Sequence, residues 1–352
     1  MQSFIHETHN ARVVFGAGSR HNLTAELDAL GIRRALILTT PEQESLGRAI
    51  GATLGTRCAG VYAKAVMHVP ADVARAALAY AREVDAQGCV AVGGGSTIGL
   101  AKAIALESVM PIVALPTTYA GSEMTPLYGL TEAGIKKTGR DWRVLPRCVV
   151  YDPELTVSLP VGLSMTSGLN AVAHAAEALY GHNASPVHAL MAEAGIAALA
   201  GALPRLRTHA DDIDARTGAL YGSWLCGTVL GAVQMGLHHK LCHTLGGSFN
   251  LPHAEVHTVI LPHALAYNAA VAPQAMSRIA RALGSEGAVA GLEALVAALQ
   301  VPRSLRELGM PADGLELAAD LVVETPYPNP RPIDRTPVRE LLQRAYDGAA
   351  AL

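Results

Sequence analysis

The chain has 352 residues, half of them hydrophobic and 16% charged, with a net charge of −3. That is ample core for one large or two medium domains, and it excludes a general attraction for nucleic acid or an anionic membrane surface. The apolar runs are short and broken, which predicts no membrane span; the opening residues do not show the basic head and apolar run expected of a signal peptide, and five scattered cysteines without a Cys-x-x-Cys pair read as reduced thiols, as expected of a cytoplasmic protein.

Taken in chain order, the first half alternates β-rich and helical runs. RVVFGAG (12–18) predicts a strand ending in a glycine turn, and RALILTT (34–40) a buried strand with a helix starting at Pro41. GVYAKAV (60–66) is a third strand, PADVARAALAYAREVDA (70–86) a helix, and GCVAVGGGS (88–96) a strand running into glycines. PIVALPTTYAG (111–121) and RCVVYDP (147–153) add two more strands. Beyond residue 160 the strand signal fades. Helical periods follow at 164–180, 186–203, 210–235, 237–248, 255–270, 273–284, 287–299, 304–322 and 337–349, and the Pro-rich TPYPNPRPIDRTP (325–337) is a loop. The organisation predicted is an α/β N-terminal domain with a parallel, Rossmann-like sheet (1–160), then an all-α C-terminal domain (161–352). A ligand is expected between the two, at the carboxyl ends of the strands.

Five stretches carry candidate chemistry. In AVGGGSTIGLAKAIAL (91–106), Gly93, Gly94 and Gly95 let the backbone approach a ligand, and the helix that follows at Ser96 offers free N–H groups to a phosphate. Thr117 and Thr118, after the next strand, are expected on a second wall of the same site. At the end of strand 34–39, where a nicotinamide-binding fold often carries an acid on the ribose, Thr39 or Thr40 stands instead, so NADPH is expected to be tolerated as well as NADH. In the helical half, GLNAVAHAAEALY (168–180) sets Asn170 and His174 one turn apart with Glu177 nearly in line, and residues 236–263 hold six of the fourteen histidines. His239 and His243 are i,i+4 on one face beside Lys240; His253 and His257 repeat the spacing. Imidazoles so placed suit metal ligation or proton transfer near neutral pH. His238 and His263 read as structural, and Cys242 as core.

The order GGGS, PTT-x-x-GSE, N-x-x-x-H, H-x-x-x-H and PH resembles the iron-containing alcohol dehydrogenases, whose wider relatives share a dehydroquinate synthase-like fold. The resemblance covers nearly the whole chain. It implies a metal site of one Asp and three His, positions that fall here on Asn170, His174, His239 and His253, with His243 as a non-ligand histidine active in proton transfer. It also implies a nicotinamide cofactor and a homodimer. The chain departs from the pattern at Asn170, at Gly99 (usually Asp) and at Thr40. With those departures it is similar to a branch that reduces the carbon–carbon double bond of 4-oxohex-2-enedioate to 3-oxoadipate, in bacterial breakdown of aromatic compounds, without an added metal.

Physical chemistry makes that departure coherent. Three imidazoles and an amide oxygen bring no negative charge to a divalent cation, so iron binds weakly, although zinc can still take three histidines. Hydride addition to an enone yields a delocalised enolate that hydrogen bonds can stabilise, unlike the localised alkoxide of carbonyl reduction. The expected roles are Gly93, Gly94, Gly95 and Ser96 on the pyrophosphate, Thr117 and Thr118 near the nicotinamide, Lys102 supporting the loop, Thr40 at the ribose, and Lys136 near the cofactor. His243 and His253 are the expected proton donors or enolate stabilisers; Asn170, His174, His239 and Lys240 are expected to receive a small dicarboxylate. Lys136, Lys137 and Arg140 form either a second cationic group or a solvated hairpin turn. No metal, nucleic acid or membrane partner is expected. A metal-dependent alcohol or aldehyde dehydrogenase is the alternative, and a lyase of the dehydroquinate synthase type a further one.

Overall fold

A computed structural model describes Phe4, His6, residues 11–132 and residues 135–351. The chain divides into two compact units between Leu159 and Pro160. His6 is joined to the second unit, its Nδ1 lying 2.9 Å from Ser185 Oγ.

The first unit runs β1 (Arg12–Phe15), α1 (Leu23–Ala29), β2 (Ala35–Leu38), α2 (Glu44–Leu54), β3 (Cys58–Tyr62), α3 (Ala71–Glu83), β4 (Gly88–Gly93), α4 (Gly95–Ser108), β5 (Ile112–Pro116), β6 (Leu127–Glu132), β7 (Ile135–Arg140) and β8 (Cys148–Tyr151). Six of the strands form an all-parallel sheet in the order β1-β8-β5-β4-β2-β3. Alternation within each strand feeds two cores. Leu36, Leu38, Cys89 and Ala91 pack on one face with Ile98, Leu100 and Ile104 of α4, while Ile37, Val90, Val92, Val113 and Leu115 pack on the other with Leu23 and Leu27 of α1 and Ile50 and Leu54 of α2. Both faces are covered, which is why these strands read as unbroken apolar runs. The winding direction reverses between β2 and β4: β3 lies outside β2, and β5, β8 and β1 follow on the far side of β4. Such a reversal leaves a crevice at the strand ends, where ligands bind in sheets of this type.

One strand differs from expectation. Residues 135–140 are not a turn but β7, the second strand of an antiparallel hairpin with β6, in register from Leu127 opposite Arg140 to Glu132 opposite Ile135. The polar, lysine-rich strand is exposed at Lys137, Thr138 and Arg140, so it lacks the apolar alternation that marks a half-buried strand.

The second unit is helical: α5 (Val161–Tyr180), α6 (Pro186–Thr208), α7 (Ile213–Ala232), α8 (Leu237–Phe249), α9 (His253–Ala269), α10 (Pro273–Ala282), α11 (Ala288–Leu299), α12 (Gly314–Glu324) and α13 (Arg335–Asp347). α5 is its centre, buried without a break from Ser164 to Ala178. Small residues let its neighbours approach: a Cβ on Gly195 of α6 would lie 2.7 Å from Cys226 Sγ of α7. α6 has the length and apolar character to cross a bilayer, but Ala192, Gly195, Ile196, Leu199 and Leu203 are buried in the protein, which accounts for that composition. The helix expected over 304–322 begins only at Gly314; Gly309, at φ 86°, and Pro311 interrupt the period before it.

Candidate active site

In the α/β unit, β2, β4 and β5 end side by side. Gly93 stands at φ 151°, and a Cβ there would lie 2.4 Å from Thr97 Oγ1 and 2.9 Å from Gln43 Oε1, so only glycine fits. A Cβ on Gly94 would meet Thr118 Cγ2 at 2.7 Å, whereas Gly95 faces open space. α4 starts at Gly95 with no side chain capping it, so its first N–H groups are available to an anion. Below this turn, Gln43 Nε2 donates to Thr117 Oγ1 at 2.9 Å. Gln43 was not among the expected residues; its only signal was its place just after the β2 turn. Thr40 is half-buried at that turn. Its hydroxyl bonds Glu42, an exposed side chain whose carboxyl is held below its usual range by that bond first and its own backbone N–H second. A carboxylate therefore does stand at this corner, two residues beyond the position where its absence was read.

Lys102, expected to support the loop, holds the backbone of the segment that follows β5. It is buried, and its Nζ donates to Ser122 O and Leu127 O, both at 2.7 Å, to Thr125 Oγ1 at 3.0 Å and to Ser122 Oγ at 3.3 Å. The ammonium is committed to pinning the loop that leads from β5 to β6. Burial pushes it down to about 7, with the charge of Glu123 pulling the other way. Glu123 is buried too, and Tyr151 donates to its Oε1 at 2.8 Å. Lys136 lies on β7 opposite Thr131, but its side chain is outside the described residues. Lys137 pairs with Glu132 at 3.1 Å and Arg140 lies 5.7 Å from the Trp142 ring centre, so these two read as hairpin surface.

In the helical unit, α5, α8 and α9 bring the imidazoles together. Ring centres lie 5.1 Å apart for His174 and His239, 5.0 Å for His239 and His257, 4.3 Å for His253 and His257, and 5.9 Å for His239 and His243. His238, expected to be structural, belongs to the group: its ring centre is 5.1 Å from His239 and 4.9 Å from His257. Its Nε2 lies 3.0 Å from His257 O. His263 stands apart, buried near Arg344. Cys242 is buried, as read.

The most deeply buried rings resist protonation. Burial first, and the neighbouring imidazoles second, hold His174 and His257 well below the usual histidine range. Burial likewise brings His238 down to about 4. Asn170 Oδ1, His174 Nδ1, His239 Nε2 and both ring nitrogens of His257 are buried without a hydrogen-bond partner among the described residues. So many orphaned polar atoms in one place are costly unless something polar is received there. His257 was visible only as the i+4 mate of His253.

The outer side is different. His243 is exposed, with Nδ1 3.1 Å from Tyr327 Oη. Lys240 is half-buried, donates to Thr325 Oγ1 at 3.1 Å and lies 5.8 Å from the Tyr327 ring centre. Tyr327 comes from the Pro-rich loop, which Asn329 ties down by paired amide bonds with Asn268 of α9, at 3.0 and 2.7 Å. Nothing in the local sequence marks Tyr327 as a partner of a histidine 84 residues earlier.

Nicotinamide chemistry needs a phosphate cradle and a place to manage protons, and the two units carry features suited to one each. With this strand order and a helical second unit, the class is that of dehydroquinate synthase-like oxidoreductases. The chain belongs to the iron-containing alcohol dehydrogenase family: the family model for iron-containing alcohol dehydrogenase matches residues 10–153, and that for the C-terminal part of the Fe-containing alcohol dehydrogenase family matches residues 164–346. It is 60% identical over 99% of both chains to a maleylacetate reductase of Burkholderia cepacia. To that of Rhizobium sp. strain MTP-10005 it is 50% identical, again over 99% of both. The crystal structure of maleylacetate reductase from Agrobacterium tumefaciens superposes with a TM-score of 0.96, covering 99% of this chain and 100% of that one at 51% identity.

The family name implies iron, and the residues present do not fit it. Asn170 supplies an amide where a hard cation wants a carboxylate. The buried carboxylate of Glu177 is taken up by three backbone N–H donors at the start of α8 and by a contact with His239 Nδ1. A ferrous ion among these donors would keep its full charge in a buried site.

Proposed function

We propose that this chain reduces the carbon–carbon double bond of maleylacetate (4-oxohex-2-enedioate) to 3-oxoadipate, using NADH or NADPH and no metal. The observation that carries the reading is the set of buried polar atoms on Asn170, His174, His239 and His257 that have no hydrogen-bond partner among the described residues. The high identity to maleylacetate reductases along the whole chain supports it.

The glycine turn at Gly93, Gly94 and Gly95, with Ser96, holds the pyrophosphate; Thr117 and Thr118 shape the turn beside it. A nicotinamide held there would supply hydride to C2; the π electrons would then move through C3 to the C4 oxygen and a proton would be taken up at C3, so that substrate, NAD(P)H and one proton balance with 3-oxoadipate and NAD(P)+. Charge spread over the enolate is met by hydrogen bonds from the imidazole pocket rather than by a cation. His243, exposed and bonded to Tyr327, supplies the proton and is recharged from solvent; His253 lies beside the pocket as the second candidate. Lys240 gives the dianion a cationic contact.

A zinc-dependent alcohol dehydrogenase is the second reading, favoured by the ring nitrogens of His238, His239 and His257, which come within 4.8 Å of one another. One experiment separates them: oxidation of NADH followed at 340 nm with maleylacetate or simple aldehydes, with and without EDTA, alongside elemental analysis. The expected result is turnover of maleylacetate that EDTA leaves intact, in protein holding far less than one metal ion per chain. Turnover that disappears on chelation and returns with iron or zinc sinks the metal-free reading.

A further inference from the structure

We propose that Glu177 is a positioning residue, a buried carboxylate that fixes the tautomer of His239 and thereby decides what the pocket offers its ligand. Glu177 lies one turn beyond His174 on α5, its side chain fully buried. Its oxygens accept from Gly236 N at 2.9 Å, His238 N at 2.7 Å and His239 N at 3.4 Å. The same carboxylate lies 2.7 Å from His239 Nδ1.

These contacts have two consequences. The first turn of a helix leaves its N–H groups without intrahelical partners, and α8 has no capping side chain of its own at Gly236. Glu177 supplies the cap from another helix and sets its charge against the positive end of α8. Three backbone N–H donors and the positive helix end favour the ionised carboxylate over its protonated form. An ionised carboxylate only accepts. His239 must therefore carry its hydrogen on Nδ1, and in the neutral ring Nε2 is left as a bare acceptor on the opposite side. Nε2 is one of the buried atoms without a partner among the described residues. A carboxylate behind an imidazole orients the ring and stabilises positive charge on it, as in hydrolase triads. Here the pocket gains one acceptor of defined direction. Glycine at 236 is part of the device: a Cβ there would lie 3.1 Å from Glu177 Oε1.

The inference rests on the proposed function only in taking the pocket as the substrate site, and its deciding spectrum does not need substrate. Full-length protein labelled with ¹⁵N in its histidine rings is examined by NMR without ligand, with His239 assigned by loss of its signals in His239→Gln. The wild type is expected to show a protonated Nδ1 and a bare Nε2. Glu177→Gln, which presents an N–H donor to the same ring, is expected to shift that pattern and lower kcat roughly 10- to 100-fold. KM for NADH should stay within about twofold, and Glu177→Asp should recover part of the loss. A wild-type His239 protonated on Nε2 overturns the proposal, and that spectrum decides alone if Glu177→Gln does not fold. Folded Glu177→Gln with wild-type kcat, or with lowered kcat but an unchanged tautomer, overturns it equally.

Discussion

At the level of single residues, His243 and Tyr327 present the clearest division of labour. The histidine is exposed and can exchange protons with solvent, while the phenol at 3.1 Å orients its ring. General acid catalysis contributes about 10²- to 10⁴-fold, so His243→Ala is expected to lower kcat at least 100-fold, on the order of the lower limit of that range. NADH affinity, measured by fluorescence titration, should hardly change; a large loss of cofactor binding would contradict the assignment. Tyr327→Phe removes one hydrogen bond and should cost roughly tenfold in kcat. At the other unit, Glu42 bears on cofactor choice. Its carboxylate, bonded by Thr40, would repel a 2′-phosphate. Glu42→Gln is therefore expected to raise the ratio of kcat/KM for NADPH over NADH by roughly fivefold. An unchanged ratio would show that the side chain does not meet the ribose.

At the level of elements, the turn between β4 and α4 concentrates the backbone demands of the cofactor site. Gly93→Ala puts a methyl group 2.4 Å from Thr97 Oγ1 at a φ of 151°. Strain of this kind costs about 1–3 kcal/mol, and relief requires the turn to open. The expected outcome is a KM for NADH raised at least tenfold, on the order of that strain converted to binding, with a lowered melting temperature; wild-type KM would show that the turn does not cradle the cofactor. This turn was legible because three consecutive glycines directly after an apolar strand are poor formers of both strand and helix, and suit a backbone that must bend sharply and admit a ligand. Helix periodicity likewise made α5, α8 and α9 legible, and with them the shared faces of Asn170 with His174 and of His239 with His243. What escaped were contacts made by tertiary packing. Glu177 was seen in line with His174, but its partners at α8 begin 59 residues away. Tyr327 sits in a loop whose prolines announce only that it is not a helix. His238 lay off the His239 face, yet a buried helix packs on several sides, and His257 of α9 lies against both rings. β7 failed for the opposite reason: its exposed, charged residues leave no period to read.

At the scale of the whole molecule, the histidines make the two units unequal toward acid. His238 and His263 are held down to about 4 by burial, and His174 and His257 are lowered further by burial and by one another. All four lie in the helical unit, whereas the described histidines of the α/β unit, His21 and His68, are not buried. Between about pH 4 and 6.5 the unfolded chain takes protons on these rings and the folded chain does not, so stability rises with pH through that window. The stabilising contribution is complete above pH 6.5 and is lost as pH falls towards 4. Each of the two at about 4 contributes about 3 kcal/mol on this basis, a large share of the roughly 5–15 kcal/mol that holds a domain folded. One tryptophan lies in each unit, Trp142 and Trp224, so each can report alone. In Trp142→Phe protein the Trp224 signal should show the urea midpoint falling steeply from pH 7 to pH 5. In Trp224→Phe protein the Trp142 signal should move far less. Replacing His263, which lies outside the imidazole cluster, by Gln should flatten the first profile without touching the pocket. Equal acid sensitivity of the two reporters would mean that the buried rings are not what makes the fold yield.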